Sequence, residues 1–180
     1  DLFYYLNKKL APSITMHGVL MDVSGVGILI TGHSGVGKSE TAMELIKRGH
    51  RLVADDSVII RREGDTLVGT SPELIRYFME LRGIGILNIK NMYGSGSILN
   101  EKSIELVMEL EDWVEGKEYD RLGVGTQYET ILNQKVMKHT IPVKPGRNLS
   151  IIIEVAARNF RLKSMGYDAA QELISRTIGR

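Results

Sequence analysis

The sequence contains no cysteine. This absence excludes a disulfide framework, a cysteine-based zinc site and a thiol nucleophile. The sequence also lacks both a signal-peptide pattern and any apolar run near the ~18 residues that a membrane-spanning helix needs. Lysine and arginine (23) almost balance aspartate and glutamate (22), so the net charge of +1 gives no strong basic field for nucleic acid. These absences favour a cytoplasmic protein with neither a membrane nor a nucleic-acid partner.

The 180 residues have ordinary proportions for a soluble globular protein, with 43% hydrophobic and 25% charged residues. A chain of this length can bury a real core and is most simply one domain. No internal repeat or low-complexity linker divides it. Because it begins at Asp1 rather than at methionine, and a helical pattern over residues 1–10 follows at once, we expect a single domain, residues 1–180, taken from a longer protein.

Residues 32–39 follow the pattern G-x-x-x-x-G-K-[ST], which is typical of loops that cradle phosphate groups. The apolar run at residues 27–31 suits a buried strand, and the helical spacing of Ala42, Leu45 and Ile46 ends at Gly49. Strand, glycine loop and helix start therefore come in the order that phosphate binding requires. The predicted binding residues are Gly32, His33, Ser34, Gly35, Val36, Gly37, Lys38 and Ser39.

The residue types in this loop indicate its chemistry. Glycines allow successive backbone N–H groups to point at one anion, and the helix N-terminus adds partial positive charge. Lys38 would reach the β- and γ-phosphates, and the Ser39 hydroxyl would hold Mg²⁺. A chance glycine turn with a solvated lysine is the weaker interpretation, since both flanks are correct. We therefore predict that the chain binds a nucleoside triphosphate or a related polyphosphate.

A second acidic element follows the loop's helix, where an apolar strand ends at Asp55 and Asp56. A carboxylate at such a strand end can hold Mg²⁺ or take a proton beside the γ-phosphate. Adjacent residues of a strand point to opposite faces, so one acid would face the site and the other would orient a neighbour. The sequence leaves open which is which, and a solvated turn is the alternative.

Two further segments carry groups that could act on a ligand. His17 lies within residues 14–23, which have the pattern of a strand, although a lone histidine is more often a core or surface residue. Glu80 and Arg82 lie beside two glycines, at the end of a predicted helix over residues 74–81 that Ser71 and a proline would begin. Loops of this composition can bring acid and base to a ligand. A surface ion pair is the alternative.

Cations also occur in two later connections. Arg121 lies in a polar stretch, and no core pattern explains it. A rigid turn with two cations follows at residues 142–147, which are Pro142, Val143, Lys144, Pro145, Gly146 and Arg147.

The remaining pattern predicts an α/β fold with a P-loop nucleotide-binding core in a mixed β-sheet flanked by helices. Residues 57–70 and 103–143 have the pattern of hairpins rather than of βαβ units. Within them, residues 103–111 alternate as in a half-exposed strand, and residues 91–97 form a glycine-rich loop. A well-buried helix, which Asn148 can cap, has apolar residues spaced from Leu149 to Phe160 and ends at Gly166. A last helix capped by Asp168 completes the chain.

Six motifs in this order resemble the bacterial HPr kinase/phosphorylase family and match its C-terminal catalytic domain over essentially the whole chain. The phosphate loop alone is common to many families, whereas Glu-Leu-Arg-Gly-Ile-Gly-Ile and Pro-Val-Lys-Pro-Gly-Arg are far more specific. In that family an N-terminal domain comes first, and the nucleotide core is related to that of phosphoenolpyruvate carboxykinase. The motifs are residues 17–19, 32–39, 54–56, 80–86, 120–123 and 142–148.

The resemblance implies a bifunctional enzyme. It would use ATP or pyrophosphate to phosphorylate a serine of HPr, the phosphocarrier protein of the sugar phosphotransferase system. It would also remove that phosphate with inorganic phosphate and release pyrophosphate. The resemblance further implies a role in carbon catabolite control, a homohexamer, and fructose 1,6-bisphosphate as an effector.

The resemblance also implies roles for the acidic and metal-binding residues. Ser39 and Glu80 would bind Mg²⁺. Asp56, with Asp55 as its close alternative, would take the serine proton and return it in the reverse direction. His17 would lie beside this acid and tune its proton.

Cationic roles follow in the same way. Lys38 and the loop amides would stabilise charge on the transferred phosphoryl group, and Arg121 would neutralise its equatorial oxygens. Residues 142–147 would serve mainly in dephosphorylation, by presenting orthophosphate. The chain departs from the family pattern at His33, where aspartate is usual. This departure raises the question of a pH-dependent loop, because histidine can become charged near neutral pH.

Two other functions are compatible with parts of the sequence. A small-molecule P-loop kinase would need only the loop and Asp55-Asp56, but we find no sequence evidence for a lid or a metabolite pocket. A nucleotide-binding regulatory module would bind ATP without transferring phosphate.

Overall fold

The computed structural model describes residues 1–3, 5, 6, 11–116 and 127–179. The helix predicted over residues 1–10 lies partly outside these ranges. Within them, the strands are β1 Ser13–His17, β2 Val19–Val23, β3 Val26–Thr31, β4 Arg51–Ala54, β5 Ser57–Glu63, β6 Thr66–Thr70, β7 Phe78–Leu81, β8 Gly85–Asn88, β9 Glu101–Ser103, β10 Leu106–Asp112, β11 Gln127–Ile131 and β12 Gln134–Val143. The α-helices are α1 Lys38–Lys47, α2 Ile89–Tyr93, α3 Leu149–Ser164 and α4 Ala169–Ile178.

A six-stranded central sheet, in the order β11-β12-β10-β3-β2-β4, carries the phosphate loop. Strands β3, β10 and β12 are parallel, and the other neighbours pair antiparallel. One face packs against a four-stranded outer sheet, in the order β1-β5-β6-β9, and the other packs against α1 and α3. This mixed sheet with flanking helices confirms the predicted fold class.

Strand alternation explains the two faces of the central sheet. Leu20 and Leu29 point to the outer sheet, where they pack with Val58, whereas Ile28 points to the helices and packs with Leu45. Each of these side chains is fully buried, and burying a side chain of this size stabilises the fold by about 1.5–3 kcal/mol.

The strand predicted over residues 103–111 is present as β10, but its exposed face is smaller than predicted. Strand β10 lies between β3 and β12, and both Leu106 and Val107 have no exposed surface. Parallel central strands are covered on both faces, which accounts for the burial of Val107. The Glu109 side chain remains 34% exposed and pairs with Lys138 of the neighbouring strand at 2.9 Å. β11 and β12 do form a hairpin, but β10 runs parallel to β12 and belongs to no hairpin with it.

The single strand predicted over residues 14–23 divides at Gly18. β1 pairs with β5 in the outer sheet, whereas β2 pairs with β3 and β4 in the central sheet. A Cβ atom on Gly18 would lie 2.8 Å from the Ile30 carbonyl oxygen, so this close approach of two backbones requires glycine. The crossing leaves His17 where the two sheets meet. The predicted hairpin over residues 57–70 is confirmed by the antiparallel pairing of β5 with β6.

The helix predicted over residues 74–81 is also wrong. A short 3-10 turn, Glu73–Ile75, is followed by β7, which pairs with β8. Helical spacing placed Leu74 in the core, but its side chain is 90% exposed, whereas Met79 is buried. Tyr77 redirects the chain with a φ of +74°. The glycine-rich loop predicted over residues 91–97 is wrong as well, because α2 and a 3-10 turn, Ser95–Ser97, leave only Gly94 between them.

Both C-terminal helices begin with the predicted side-chain caps. Asn148 Oδ1 accepts from the backbone N–H of Ile151 at 3.2 Å, and Asp168 accepts from the N–H groups of residues 170 and 171. The burial predicted for α3 is only partly right, because Ile153 is buried while Val155 is 61% exposed. Among the helices of the described ranges, none has both the length and the apolar character required to cross a membrane.

Candidate functional site

The phosphate loop joins β3 to α1, as its motif predicts. β3 is buried along its whole length, and α1 begins at Lys38 within the motif itself. Gly32 has a φ of +140°, and a Cβ atom there would lie 2.6 Å from the Leu110 carbonyl oxygen of β10. Glycine is therefore needed where the chain leaves the sheet. This turn directs the loop over the carboxyl end of β3 and into the N-terminus of the helix.

Lys38 is held across the loop by the loop's own carbonyl groups. Its ammonium donates to Gly32 O at 2.9 Å and to His33 O at 2.8 Å, and the residue is only 7% exposed. Burial lowers the pKa of Lys38, while the carboxylates of Asp56 and Asp55 oppose this shift. A cation that is largely shielded from water and held against the phosphate loop is well placed to contact phosphate oxygens.

Asp55 faces the helix start. Its Oδ1 accepts from the Ser39 hydroxyl at 2.9 Å, and its Oδ2 accepts from the Glu80 backbone N–H at 3.3 Å. The residue is 5% exposed, and burial raises the pKa of its carboxyl group, against the two hydrogen bonds. Asp55 thus ties together the phosphate loop, β4 and β7.

Asp56 points in a different direction and is solvent-exposed. Its Oδ1 lies 3.2 Å from His17 Nδ1, which also lies 3.0 Å from the Asp56 carbonyl oxygen. Because both of these partners accept, Nδ1 carries the hydrogen in this arrangement. Ser57 N donates to Asp55 O at 2.8 Å across Asp56, whose φ is +69°, and Gly18 N donates to Asp56 O at 3.2 Å. The tight turn accounts for the opposite directions of the two acids.

These groups line one polar cavity of about 260 Å³. That volume is below the 300–1,000 Å³ common for pockets that enclose drug-sized ligands, so it suits the phosphate part of a nucleotide rather than the whole molecule. The lining residues are His17, Val19, Ser34, Gly35, Gly37, Lys38, Ser39, Glu40, Asp55, Asp56, Glu80 and Arg82.

Arg82 is a lining residue that the sequence analysis named beside Glu80 as a group that could act on a ligand, but to which it assigned no role. A Cβ atom on Gly35 would lie 3.4 Å from its Nη2, so the guanidinium rests against the phosphate loop. Arg82 lies in the turn directly after β7, which brings it to the same cavity as Glu80.

Other predicted site residues do not reach the cavity. Val36 is buried in the core below the loop. His33 lies outside the cavity, with its Nε2 atom 2.9 Å from Asp112 Oδ2. The turn at residues 142–147 is not among the lining residues, and Lys144 instead lies 4.6 Å from the centre of the Trp113 ring. Arg121 lies outside the described residues.

The oxygen atoms near Ser39 suit a magnesium ion that is shared with phosphate. No cluster of three or more His, Cys, Asp or Glu side chains that could hold a metal occurs in the part of the chain that the structure describes. Mg²⁺ usually takes only one or two protein oxygens and completes its shell with water and phosphate. The Ser39 hydroxyl, which donates its hydrogen to Asp55, keeps its lone pairs for such an ion.

The motif resemblance is confirmed by comparison with known proteins. Residues 8–177 match the family described as HPr Serine kinase C-terminal domain. The HPr kinase/phosphorylase of Peptoclostridium acidaminophilum is 63% identical over 168 residues, covering 93% of this chain and 54% of the relative. The HPr kinase/phosphorylase of Bacillus subtilis strain 168 is 57% identical over 173 residues, covering 96% of this chain and 56% of the relative. The chain thus spans about half the length of the curated relatives it matches.

The fold agrees with that of a solved structure. The Hpr(Ser) kinase/phosphatase from Coxiella burnetii superposes with a TM-score of 0.80 and 34% sequence identity, and the match covers 89% of this chain and 98% of that chain. Sequence and fold therefore lead to one conclusion: the chain belongs to the HPr serine kinase C-terminal domain family.

Proposed function

We propose that this domain transfers a phosphoryl group from ATP or pyrophosphate to a serine of the protein HPr, and removes it again by phosphorolysis. The observation that carries the proposal is the meeting of three elements in one cavity. Lys38 and the loop supply phosphate contacts, and Ser39 supplies a metal-binding oxygen. Asp56 supplies a solvent-exposed carboxylate that can act as a base. Family membership adds the identity of the protein acceptor.

In the forward direction, the serine oxygen attacks the terminal phosphorus of the donor. The bond from that phosphorus to the bridging oxygen breaks, and the serine proton passes to Asp56. Asp56 suits this role better than Asp55, because it is exposed to an incoming protein, whereas Asp55 is buried and already accepts two hydrogen bonds. His17 orients the Asp56 carboxylate through Nδ1.

In the reverse direction, an oxygen of orthophosphate attacks the phosphoserine phosphorus. The bond from phosphorus to the serine oxygen breaks, protonated Asp56 returns the proton to that oxygen, and pyrophosphate leaves. Lys38, which contacts the loop carbonyls, and Arg82, which lies against Gly35, neutralise charge on the non-bridging oxygens. In this proposal the cations of residues 142–147 and Arg121 assist the same step.

Ser39 and Glu80 would hold Mg²⁺, which when bound neutralises charge on the phosphate oxygens. Asp55 fixes the Ser39 hydroxyl and the Glu80 backbone at this position. The family resemblance extends the proposal to a cytoplasmic homohexamer in carbon catabolite control, with fructose 1,6-bisphosphate as effector.

The test follows the mass of HPr. Incubation of HPr with the protein, ATP and Mg²⁺ is expected to add one phosphoryl group, and excess phosphate is expected to remove it and release pyrophosphate. Asp56→Asn is expected to lower the forward rate by about 10²–10⁴, the usual contribution of a general base. Asparagine tolerates the positive φ of this position, so the turn is kept. Asp65→Asn, which removes the same charge at the distant β5–β6 turn, serves as the matched control.

An unchanged rate in Asp56→Asn would refute the assignment of the base. Phosphorylation of a metabolite in place of HPr would refute the assignment of the acceptor.

A further inference from the structure

The imidazole ring of His33 lies between two groups that can only accept hydrogen bonds. Nδ1 lies 2.9 Å from the Ser34 carbonyl oxygen, and Nε2 lies 2.9 Å from Asp112 Oδ2. A neutral histidine carries one N–H and could satisfy only one of them, whereas an imidazolium satisfies both. The geometry is therefore that of the doubly protonated ring.

Strand register explains why Asp112 reaches the phosphate loop. The pairing of β10 with β3 ends at Glu109 and Thr31, where β3 gives way to the loop. β10 continues for three more residues along its other neighbour, β12, with Asp112 opposite Val143. This overhang places the Asp112 carboxylate beside the first residues of the loop. It is an arrangement that the loop motif itself does not contain.

The ring and Lys38 hold the same stretch of backbone from two sides. The His33 carbonyl oxygen accepts from Lys38 Nζ at 2.8 Å and from Val36 N at 3.2 Å, while the next carbonyl, that of Ser34, accepts from the ring. Two successive carbonyls are thus fixed by cations. Because each peptide unit is planar, fixing a carbonyl also fixes the direction of the N–H group in the same unit, and such N–H groups are the ones that a phosphate loop offers to its ligand.

We propose that Asp112 is a positioning residue of the phosphate loop, which acts through a doubly protonated His33 and makes the affinity for polyphosphate depend on pH. The inference rests on the proposed function only in taking polyphosphate as the ligand. Asp112 itself is not among the residues that line the cavity. Its effect is to keep the imidazolium in contact with the Ser34 carbonyl.

The surrounding charges set the direction of the pH dependence. The Ser34 carbonyl, and then Asp112, raise the pKa of His33 above its ordinary value, whereas Lys38 from α1 opposes them. The ring is charged below this pKa, so affinity is highest there and falls as the pH rises through it. His33 and Asp112 are 55% and 74% exposed, so the ring exchanges protons freely, and the pair has the modest strength of a surface ion pair.

The first arm of the test measures the proton on His33 directly. An NMR titration of the histidine ring carbons in the ligand-free protein is expected to give a pKa for His33 that falls in Asp112→Asn. Asp112→Glu, which keeps the charge, is expected to restore it. Asp65→Asn, with the same charge change at the β5–β6 turn, is expected to leave it unchanged. An unaltered His33 pKa in Asp112→Asn would overturn the inference.

The second arm measures pyrophosphate binding by calorimetry, without metal, at about pH 6 and about pH 8.5, on either side of the histidine range. Asp112→Asn and His33→Gln are each expected to bind about two- to fivefold more weakly than the wild type at the lower pH, the range of an exposed ion pair. All three are expected to converge at the higher pH. Because the proteins are compared at the same pH, the protonation of pyrophosphate is the same for each and does not contribute to the difference in affinity. The single tryptophan, Trp113, follows Asp112 and reports by its fluorescence that each variant is folded.

Two results of this arm would count against the inference. Equal affinities at about pH 6 would overturn it, as would a loss in Asp112→Asn of the same size at both pH values. A wild-type protein that binds pyrophosphate at neither pH would overturn the proposed function and the affinity part of the inference together. The NMR arm would then still decide whether Asp112 holds the His33 proton.

Discussion

Lys38→Met tests whether the buried ammonium is the main cation for polyphosphate. Methionine keeps an unbranched side chain of similar length and removes the charge. Lys38 is 7% exposed and its ammonium already contacts loop carbonyls, so its bonds to phosphate would form largely out of water. Hydrogen bonds to charged groups contribute about 1.5–3 kcal/mol. Since about 1.4 kcal/mol corresponds to a factor of ten, we expect ATP to bind about 10- to 100-fold more weakly.

The same substitution is expected to leave the folded domain nearly as stable as the wild type, because two effects oppose each other. Burial lowers the pKa of Lys38, which means that the folded protein holds the charged form at a cost that methionine removes. Against this gain, the Gly32 and His33 carbonyls lose a donor, although His33 O keeps its bond from Val36 N. We therefore expect Lys38→Met to lose affinity for ATP while its melting temperature changes little.

Calorimetry with ATP and thermal unfolding would measure the two quantities on the same samples. Lys47→Met is the matched control, because Lys47 is an exposed residue of the same helix and the substitution removes the same charge. A loss of affinity below about threefold in Lys38→Met, or an equal loss in Lys47→Met, would refute the reasoning, since a surface charge effect would then explain the result. A large fall in the melting temperature of Lys38→Met would show instead that the loop depends on this lysine to fold.

Two further predictions concern the scaffold. In Gly27→Ala the new Cβ would lie 1.7 Å from the Ser103 carbonyl oxygen at the end of β9. We therefore expect the free energy of unfolding, measured in urea, to fall by about 3 kcal/mol or more. Gly96→Ala, with open space around the new Cβ, should change it by less than about 0.5 kcal/mol. Arg48 lowers the pKa of Glu154, so this pair stabilises the fold above the ordinary glutamate value of 4.5 and ceases to do so as the pH falls through the lowered pKa. Glu154→Gln should therefore lower the melting temperature at neutral pH, and its melting curve should approach that of the wild type on acidification; a constant difference at all pH values would contradict the electrostatic origin.

Several features of the site were predictable because they depend on neighbouring residues alone. The phosphate loop combines glycines, a lysine and a serine within eight positions, and its backbone is set by the turn from β3 into α1. Helix caps at Asn148 and Asp168 are equally local, since each side chain binds N–H groups two or three residues ahead. Resemblance to the family was also visible in short motifs, and the comparisons confirm it.

Errors occurred where local periodicity competed with long-range pairing. Residues 74–81 have helical spacing, but the pairing of β7 with β8 and the burial of Met79 outweigh it. Likewise, the alternation of residues 103–111 suggests a solvent face along the whole segment, but β10 lies between two parallel strands and Val107 is fully buried. Propensity is weak beside tertiary burial, so such segments cannot be assigned from their own sequence.

The sequence by itself determined the phosphate-loop motif at residues 32–39 and the acid pair at residues 55 and 56, because the residues of each are contiguous. Only the tertiary structure decided where each acid points. A tight turn with a positive φ at Asp56 sends one carboxylate to Ser39 and the other to His17, which arrives from a different sheet. The contact of Asp112 with His33 likewise depends on how far β10 extends past β3, and strand register is a property of the whole sheet rather than of either segment.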